Sequence, residues 1–260
     1  MLARGFSLFF KTYWTIFKSG LDREQIPAFN KRDIITTSGT YTAPVTGWYH
    51  FHLIGGGGAG MSSASWSSQN LGYFGGGGGG AGGEKDVFEY LTANQSVTVV
   101  VGAGGASGAR YYIGENGGST SITVGVNTYS VGGGKAAGTA TGATAGTYTG
   151  SNSSYAYISM IGGEGGWDGS DPLTRGQTGG CGSRSGSNTL DAMGGSGGGN
   201  GGGLGYSESS GMSPSITIID ATGYGGGGGG NSTNSGANTR AGNGYQGCVE
   251  IEYFDESLNP

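Results

Sequence analysis

Two histidines stand two residues apart in "WYHFHLI", and the chain has no third. In an extended strand, residues i and i+2 share a face, so His50 and His52 present two imidazoles side by side. Two imidazoles are half of a tetrahedral metal site. With no further histidine and no paired-cysteine motif, they read as buried structural histidines, and no metal is expected. Asp168 and Asp171 in "WDGSDP" offer oxygen ligands suited to calcium, but Gly, Ser, Asp and Pro in that order read as a turn. "GGSGG" at Gly194–Gly198 matches the nucleophile-elbow pattern, yet it lacks the strand before it and the helix after it. Gly134-Lys135 lacks the Ser or Thr of a phosphate loop, no helix follows, and the dinucleotide fingerprint fails on the same ground. A depolymerase would need paired acids in a cleft, and nothing in the sequence isolates such a pair. Cys181 and Cys248 lie far apart and read as free thiols or one incidental bridge. The expectation is a protein without catalytic residues and without a cofactor.

The elements that would position any site are unusual in composition. Of 260 residues, 64 are Gly and only five are Pro. Collagen needs Gly at every third position with abundant Pro, and neither holds. Charged residues are 11% of the chain, below the usual ~25%, while 15 Tyr, 9 Phe and 4 Trp are retained. Disordered chains normally carry more charge and fewer aromatics. Residues 1–33 hold six basic and three acidic residues, a net +3, and residues 34–260 hold six and fourteen, a net −8. An acidic body argues against nucleic acid as a partner.

Residues 1–33 read as a separate segment. Phe6, Phe9, Phe10, Tyr13, Phe17 and Leu21 recur at spacings of three and four, which predicts an amphipathic helix with an aromatic face, bounded by Gly20 and Pro27. Such a face must be covered by its own chain, by a partner or by a membrane surface. Its contrast with the body favours a partner. Lys11 interrupts the apolar run and no small-residue cleavage site follows, so a signal peptide is not expected. The stretch is also too short and too charged to span a membrane.

Four stretches alternate like strands: "TYTAPVTGWYHFHLI", "KDVFEYLTANQSVTVVVG" with a turn near Ala93–Gln95, "STSITVGVNTYSV" with a turn around Val126–Asn127, and "GCVEIEYF". Both faces of the Trp48–Ile54 strand are largely apolar, which predicts burial on both sides. The four stretches are expected to form one small sheet at one end of the body. Between and beyond them lie ten glycine tracts, at 55–60, 75–83, 102–105, 114–118, 132–134, 162–166, 176–182, 194–205, 223–230 and 242–247.

As flexible linkers the tracts would join pieces too small to fold alone. The alternative is a bundle of extended threefold helices, the glycine counterpart of polyproline II, whose outward N–H and C=O groups pair between neighbours. The fold class expected is therefore irregular, mostly β and coil: a sandwich of about ten polyglycine II helices, a small β-sheet at one end, and a short helical N-terminal segment. The pure runs 75–80 and 225–230 are expected at the centre. Tract 194–205, carrying Ser196, Asn200 and Leu204, is expected to be peripheral or bent, and Ala81 to face an edge.

The aromatic N-terminus, the "YTAPVTGWYHFHLIGGGGAG" stretch and glycine motifs alternating with dissimilar segments resemble the separate tail-fibre adhesins of T-even-like bacteriophages, over essentially the whole chain. The resemblance implies attachment of residues 1–33 to the trimeric distal-tip protein of a long tail fibre, through Phe6, Phe9, Phe10, Tyr13, Trp14 and Phe17. It implies one monomeric adhesin per fibre and localisation at the fibre tip of a virion, after synthesis in the host cytoplasm. It also implies that residues 34–260 are a glycine-rich domain binding a porin-like outer-membrane protein of a Gram-negative host, with lipopolysaccharide second to it, and no catalysis. The other reading is a structural glycine-rich tail or baseplate component without receptor contact.

If successive tracts alternate direction, connectors 61–74, 106–113, 135–161, 183–193 and 231–241 fall at the end away from the sheet, and 84–101, 119–131, 167–175 and 206–222 at the sheet end. The first three far-end connectors mix rigid aromatics with small polar residues, the chemistry of antibody paratopes, and the last two lack aromatics. Candidate receptor-binding residues are Trp66, Tyr73, Tyr111, Tyr112, Tyr148, Tyr155 and Tyr157, with Arg184, Asn188, Asn234 and Arg240 as a polar rim.

Overall fold

The structure, a computed structural model, describes residues 29–61, 73–74, 77–108, 114–140, 159–161, 184–185, 197–199, 201–203, 206–207, 220–232 and 241–258. The chain enters through β1 (Lys31–Ile35), β2 (Gly39–Thr42) and β3 (Gly47–Ile54), and the short β4 (Tyr73–Phe74) precedes β5 (Glu84–Leu91) and β6 (Ser96–Val100). Then come β7 (Thr120–Val124) and β8 (Asn127–Val131), followed by β9 (Gly138–Ala140), β10 (Ser159–Ile161), β11 (Arg184–Ser185), β12 (Tyr206–Ser207), β13 (Asn231–Ser232) and β14 (Cys248–Tyr253). Among the described residues the only helical element is a 3-10 turn at Glu256–Leu258.

Two four-stranded sheets form, not one. Their orders are β1-β14-β3-β5 and β2-β6-β7-β8, antiparallel throughout. Alternation explains why they pack face to face: Tyr49, Phe51, Leu53, Val87, Leu91, Val249 and Ile251 from the first sheet meet Val97, Val99, Ile122, Val124 and Val131 from the second in one core. The Tyr49 hydroxyl donates to Val45 C=O at 2.8 Å, so the buried ring keeps its polar end satisfied. Strand β1 is not apparent in the sequence because "KRDII" is a charged edge strand, and the stretch read from Thr40 to Ile54 divides into two strands, the edge strand β2 and the central β3, that join different sheets. Strand β1 begins at Lys31, so a boundary at residue 33 would cut it. Burial of β3 is complete on one face and partial on the other: Tyr49, Phe51 and Leu53 are fully buried, while on the opposite face His50 is buried and Trp48 is 40% exposed.

The glycine segments rise from the top of this sandwich and hydrogen-bond to one another. Segment 55–61 continues directly from β3, and its donors follow a three-residue period. Gly55, Gly58 and Met61 donate to Gly83, Gly80 and Gly77; Gly56 and Ala59 donate to Gly118 and Glu115; Gly57 and Gly60 donate to Tyr245 and Gly242, all at 2.8–3.1 Å. Its carbonyls accept in turn from Gly134 and Ala137, from Gly105 and from Gly228. Six segments therefore surround one, and the hub is 55–61, not the pure runs at 75–80 or 225–230. The hub tolerates Ala59 because Gly114 lies beside that methyl: a Cβ added at Gly114 would sit 2.5 Å from the Ala59 Cβ.

Register fixes direction. Partner numbers fall as 55–61 rises against 77–83, 114–118 and 242–245, so those run back toward the sheets, whereas 102–106, 132–137 and 225–230 run away from them. Tract 194–205 does not pass through. Gly197 N–H donates to Gly203 C=O at 2.7 Å, and Gly199 and Gly201 take φ of +85° and +72°, a left-handed backbone that lets the chain double back. This bend covers Ala81, which is 5% exposed instead of facing an open edge. The reversal also overturns the placement of connector 206–222 at the sheet end. Tyr206 and Ser207 pair in parallel with Asn231 and Ser232, which follow an outgoing segment, so 206–222 begins at the far end.

Candidate functional site

Two places in the fold gather chemistry-bearing side chains. The first is the end away from the sheets. Three short pairings close it: β4 with β11, β9 with β10, and β12 with β13. The β4–β11 pairing sets Tyr73 opposite Ser185 and Phe74 opposite Arg184, bringing the first and fourth far-end connectors together. The β9–β10 pairing sets Ala140 opposite Ser159, so the connector between them leaves and returns at one point. The second connector is anchored at its start by Asn243, whose Oδ1 accepts from the Ser107 N–H at 2.7 Å, and Asp220 holds the Asn243 N–H at 2.6 Å. Asn116 Oδ1 likewise accepts from Ala136 N–H at 2.8 Å at the foot of the third.

Of the residues singled out from the sequence, Tyr73 and Arg184 are placed here as backbone positions in neighbouring strands. Trp66, Tyr111, Tyr112, Tyr148, Tyr155, Tyr157, Asn188, Asn234 and Arg240 lie outside the described residues. So do Phe6, Phe9, Phe10, Tyr13, Trp14 and Phe17, the predicted N-terminal helix, Asp168, Asp171 and Cys181. The anchoring roles of Asn116, Asp220 and Asn243 are not apparent in the sequence, where each is one polar residue beside a glycine run.

The second place is the outer face of the first sheet. The β14–β3–β5 register sets Glu252, His50 and Phe88 in one row and Glu250, His52 and Asp86 in the next. His50 Nδ1 lies 3.0 Å from Glu252 Oε2 and Nε2 lies 2.8 Å from Asp86 Oδ1. His52 Nδ1 shares the same Asp86 oxygen at 2.9 Å, with Glu84 3.8 Å from its Nε2. Arg32 pairs with Glu250 at 2.5 Å. The His50 ring is stacked against Phe88 at 4.5 Å and Phe29 at 6.3 Å, and its side chain is 7% exposed.

Charge and burial oppose each other here. The Asp86 hydrogen bond raises the His52 pKa above its ordinary value, while burial works against it. Hydrogen bonds from His50 and then His52 hold the Asp86 carboxyl well below the usual carboxylate range, against the cost of its burial. Each carboxylate is spent on an imidazole or on Arg32, and among the described residues no group of three or more His, Cys, Asp or Glu is arranged to hold a metal ion. What the cluster can do chemically is tie β3 to β5 and β14 in a pH-dependent way. The sequence marked His50 and His52 but not their partners. The signal was the matching period of two in "EKD" and "VEIE", which becomes meaningful once those strands flank β3.

Cys248 is a free thiol, fully buried, and burial pushes its pKa up to about 12. It is a packing residue with little thiolate character. No curated protein matches the chain. The profile of one family, described as a glycine-rich domain, matches residues 35–254, which run from the last residue of β1 through β14 and include the glycine segments, and the chain belongs to that glycine-rich domain family.

Proposed function

We propose that the chain is a receptor-binding adhesin carried at the tip of a bacteriophage long tail fibre. In this reading the glycine segments are polyglycine II helices, supported by the three-residue period of the hydrogen bonds along 55–61. At ~3.1 Å per residue, seven residues hold the far end roughly 20 Å above the sheets. The observation that carries the reading is the convergence of connectors at that end. Segments 55–61, 102–106, 132–137 and 225–230 all run toward it, and β4, β9, β11 and β13 all stand there. The connectors supply Tyr, Trp, Arg and Asn among small residues, a composition suited to a protein surface.

The receptor in this reading is a porin-like outer-membrane protein of a Gram-negative host. Residues 1–33 attach the adhesin to the trimeric fibre tip, and the reading assigns no catalytic step. The test is binding of the purified full chain to host strains that each lack one outer-membrane protein. Loss of binding to one such strain, restored by re-expressing the missing protein, is the expected outcome. Equal binding to every strain, or to none, would return the structural tail-component reading to first place.

A further inference from the structure

The outer face of the first sheet is acidic and aromatic, and Phe29 lies on it. Phe29, the first described residue, stacks over His50 on that face. Residues 1–28 therefore begin their path there. Around the stacked rings, Trp48, Tyr90 and Ile34 are 40%, 54% and 48% exposed, and Trp48 and Tyr90 meet edge to face at 5.6 Å. They are three of the eight large apolar side chains exposed among the described residues, and the cross-strand register puts all three on this one face. Glu84, Asp86, Glu250 and Glu252 share the face with Arg32, so with neutral histidines it carries a net −3. Residues 1–28 carry the opposite sign: Arg4, Lys11, Lys18 and Arg23 against Asp22 and Glu24, a net +2.

We propose that residues 6–21 dock on this face in the free protein, laying the stripe of Phe6, Phe9, Phe10, Tyr13, Phe17 and Leu21 across Trp48, Tyr90 and Ile34. Lengths permit it. A 16-residue helix is ~24 Å long, and the eight residues of β3 span ~27 Å. The eight steps from Phe29 back to Leu21 reach up to ~26 Å when extended. Aromatic contact removes the apolar surface of both partners from water. Lys11 and Lys18 add attraction to the carboxylates at the rim. The inference is independent of the receptor reading, since it concerns the isolated protein. If the chain also attaches to a fibre through the same stripe, attachment exchanges an internal cover for an external one.

The test places the photo-crosslinker benzoylphenylalanine at Tyr90 of the full chain, with Val126 as the control site. Val126 is 97% exposed in the turn between β7 and β8 of the other sheet. A mixture of isotopically light and heavy copies separates crosslinks within a chain from crosslinks between chains. The expected result is a same-isotope crosslink from position 90 to residues 6–21, about tenfold above the yield from position 126, the ratio given by ~1.4 kcal/mol of preference. Changing Lys11 and Lys18 together to Gln lowers that yield about threefold, as expected for two exposed attractions. Mixed-isotope crosslinks would mean that a second copy covers the face, and crosslinks at the control level would mean that the segment does not dock; either result overturns the proposal. Failure here leaves receptor binding unaffected, because the strain-panel assay does not involve this face.

Discussion

Adding one methyl group at Gly58 tests whether the glycine segments are a core or a set of spacers. A Cβ built there would lie 2.8 Å from the Ala136 amide nitrogen and closer still to the Lys135 carbonyl carbon and oxygen, against 3.4 Å for ordinary contact. The 132–137 segment would have to move by 0.6 Å at the least crowded of these contacts and further at the others. Gly58 also donates to Gly80 at 2.8 Å and accepts from Gly228 at 2.9 Å, so any shift that relieves the clash stretches those bonds. Overpacking costs ~1–3 kcal/mol, and two weakened hydrogen bonds add ~0.5–1.5 kcal/mol each. The expected loss for Gly58→Ala is therefore about 2–6 kcal/mol, a large part of the ~5–15 kcal/mol by which domains are stable. At ~2–4 °C per kcal/mol for a domain of this size, Tm falls by roughly 5–20 °C. The controls are Gly39→Ala and Gly47→Ala, where nothing lies within 4 Å of an added Cβ and φ is not in the left-handed region. Those are expected to be neutral or to stabilise by ~0.4–1 kcal/mol through the unfolded chain. Urea and thermal unfolding of the three variants decide the matter. If Gly58→Ala matches Gly47→Ala, the segments are not packed as a core.

Three further expectations follow from the same structure. Thr120 is fully buried; its Oγ1 donates to Ile54 C=O at 2.7 Å and accepts from Gly102 N–H at 3.0 Å, where β3 becomes the central glycine segment. Thr120→Val keeps the shape but removes the acceptor of the Gly102 N–H and one donor to the Ile54 C=O, so urea unfolding is expected to show a loss of about 1–3 kcal/mol. In the histidine cluster, the raised His52 pKa contributes stability that is complete below its ordinary 6.5 and is lost as pH rises through the folded value. The lowered Asp86 pKa contributes stability present above its ordinary 3.8 and lost as pH falls through the folded value. Tm is accordingly expected to be highest between about pH 4 and 6.5 and to decline toward pH 8.5, with a shallower decline in His52→Gln; identical pH profiles would remove the cluster from the account. Replacing residues 141–158 by a two-residue turn is expected to leave Tm within a few degrees, because β9 and β10 already meet at Ala140 and Ser159. The same replacement should abolish binding to host cells in a cell-adsorption assay.

The parts of this fold that obey periodicity were legible in the sequence. The alternation of "WYHFHLI" and "CVEIEY" located two central strands, and turn chemistry beside Val126 located the β7–β8 hairpin; the turn at Ala93–Gln95 was also legible, but the strands on either side of it, β5 and β6, pair in different sheets and form no hairpin. The glycine runs also announced their close approach, because a Cβ at Gly55, Gly56, Gly57, Gly58 or Gly60 would collide with a neighbouring backbone. What was not legible was anything decided between segments. Pairing partners of His50 lie 36 and 202 residues away, so the carboxylates could be assigned only once β14 and β5 flanked β3. The doubling-back of 194–205 rests on positive φ at two glycines, and a glycine run reads the same whether its φ is negative or positive. The bend expected of this tract was not carried into the count of directions, and that alone put the start of connector 206–222 at the wrong end. The hub was misassigned for a related reason: an expectation that only pure glycine runs sit centrally leaves no place for Ala59, whose methyl lies beside Gly114.

The central claim is that a glycine core displays its far-end connectors to a host surface. It is tested most directly by amide hydrogen exchange of the full chain, alone and with outer-membrane vesicles from a strain to which it binds. The account predicts strong protection of 55–61 in both states and new protection, on adding vesicles, confined to 61–74, 106–113, 135–161, 183–193 and 231–241. Rapid exchange across 55–61 in the free protein, or vesicle-dependent protection at the sheets and not at those connectors, would contradict it.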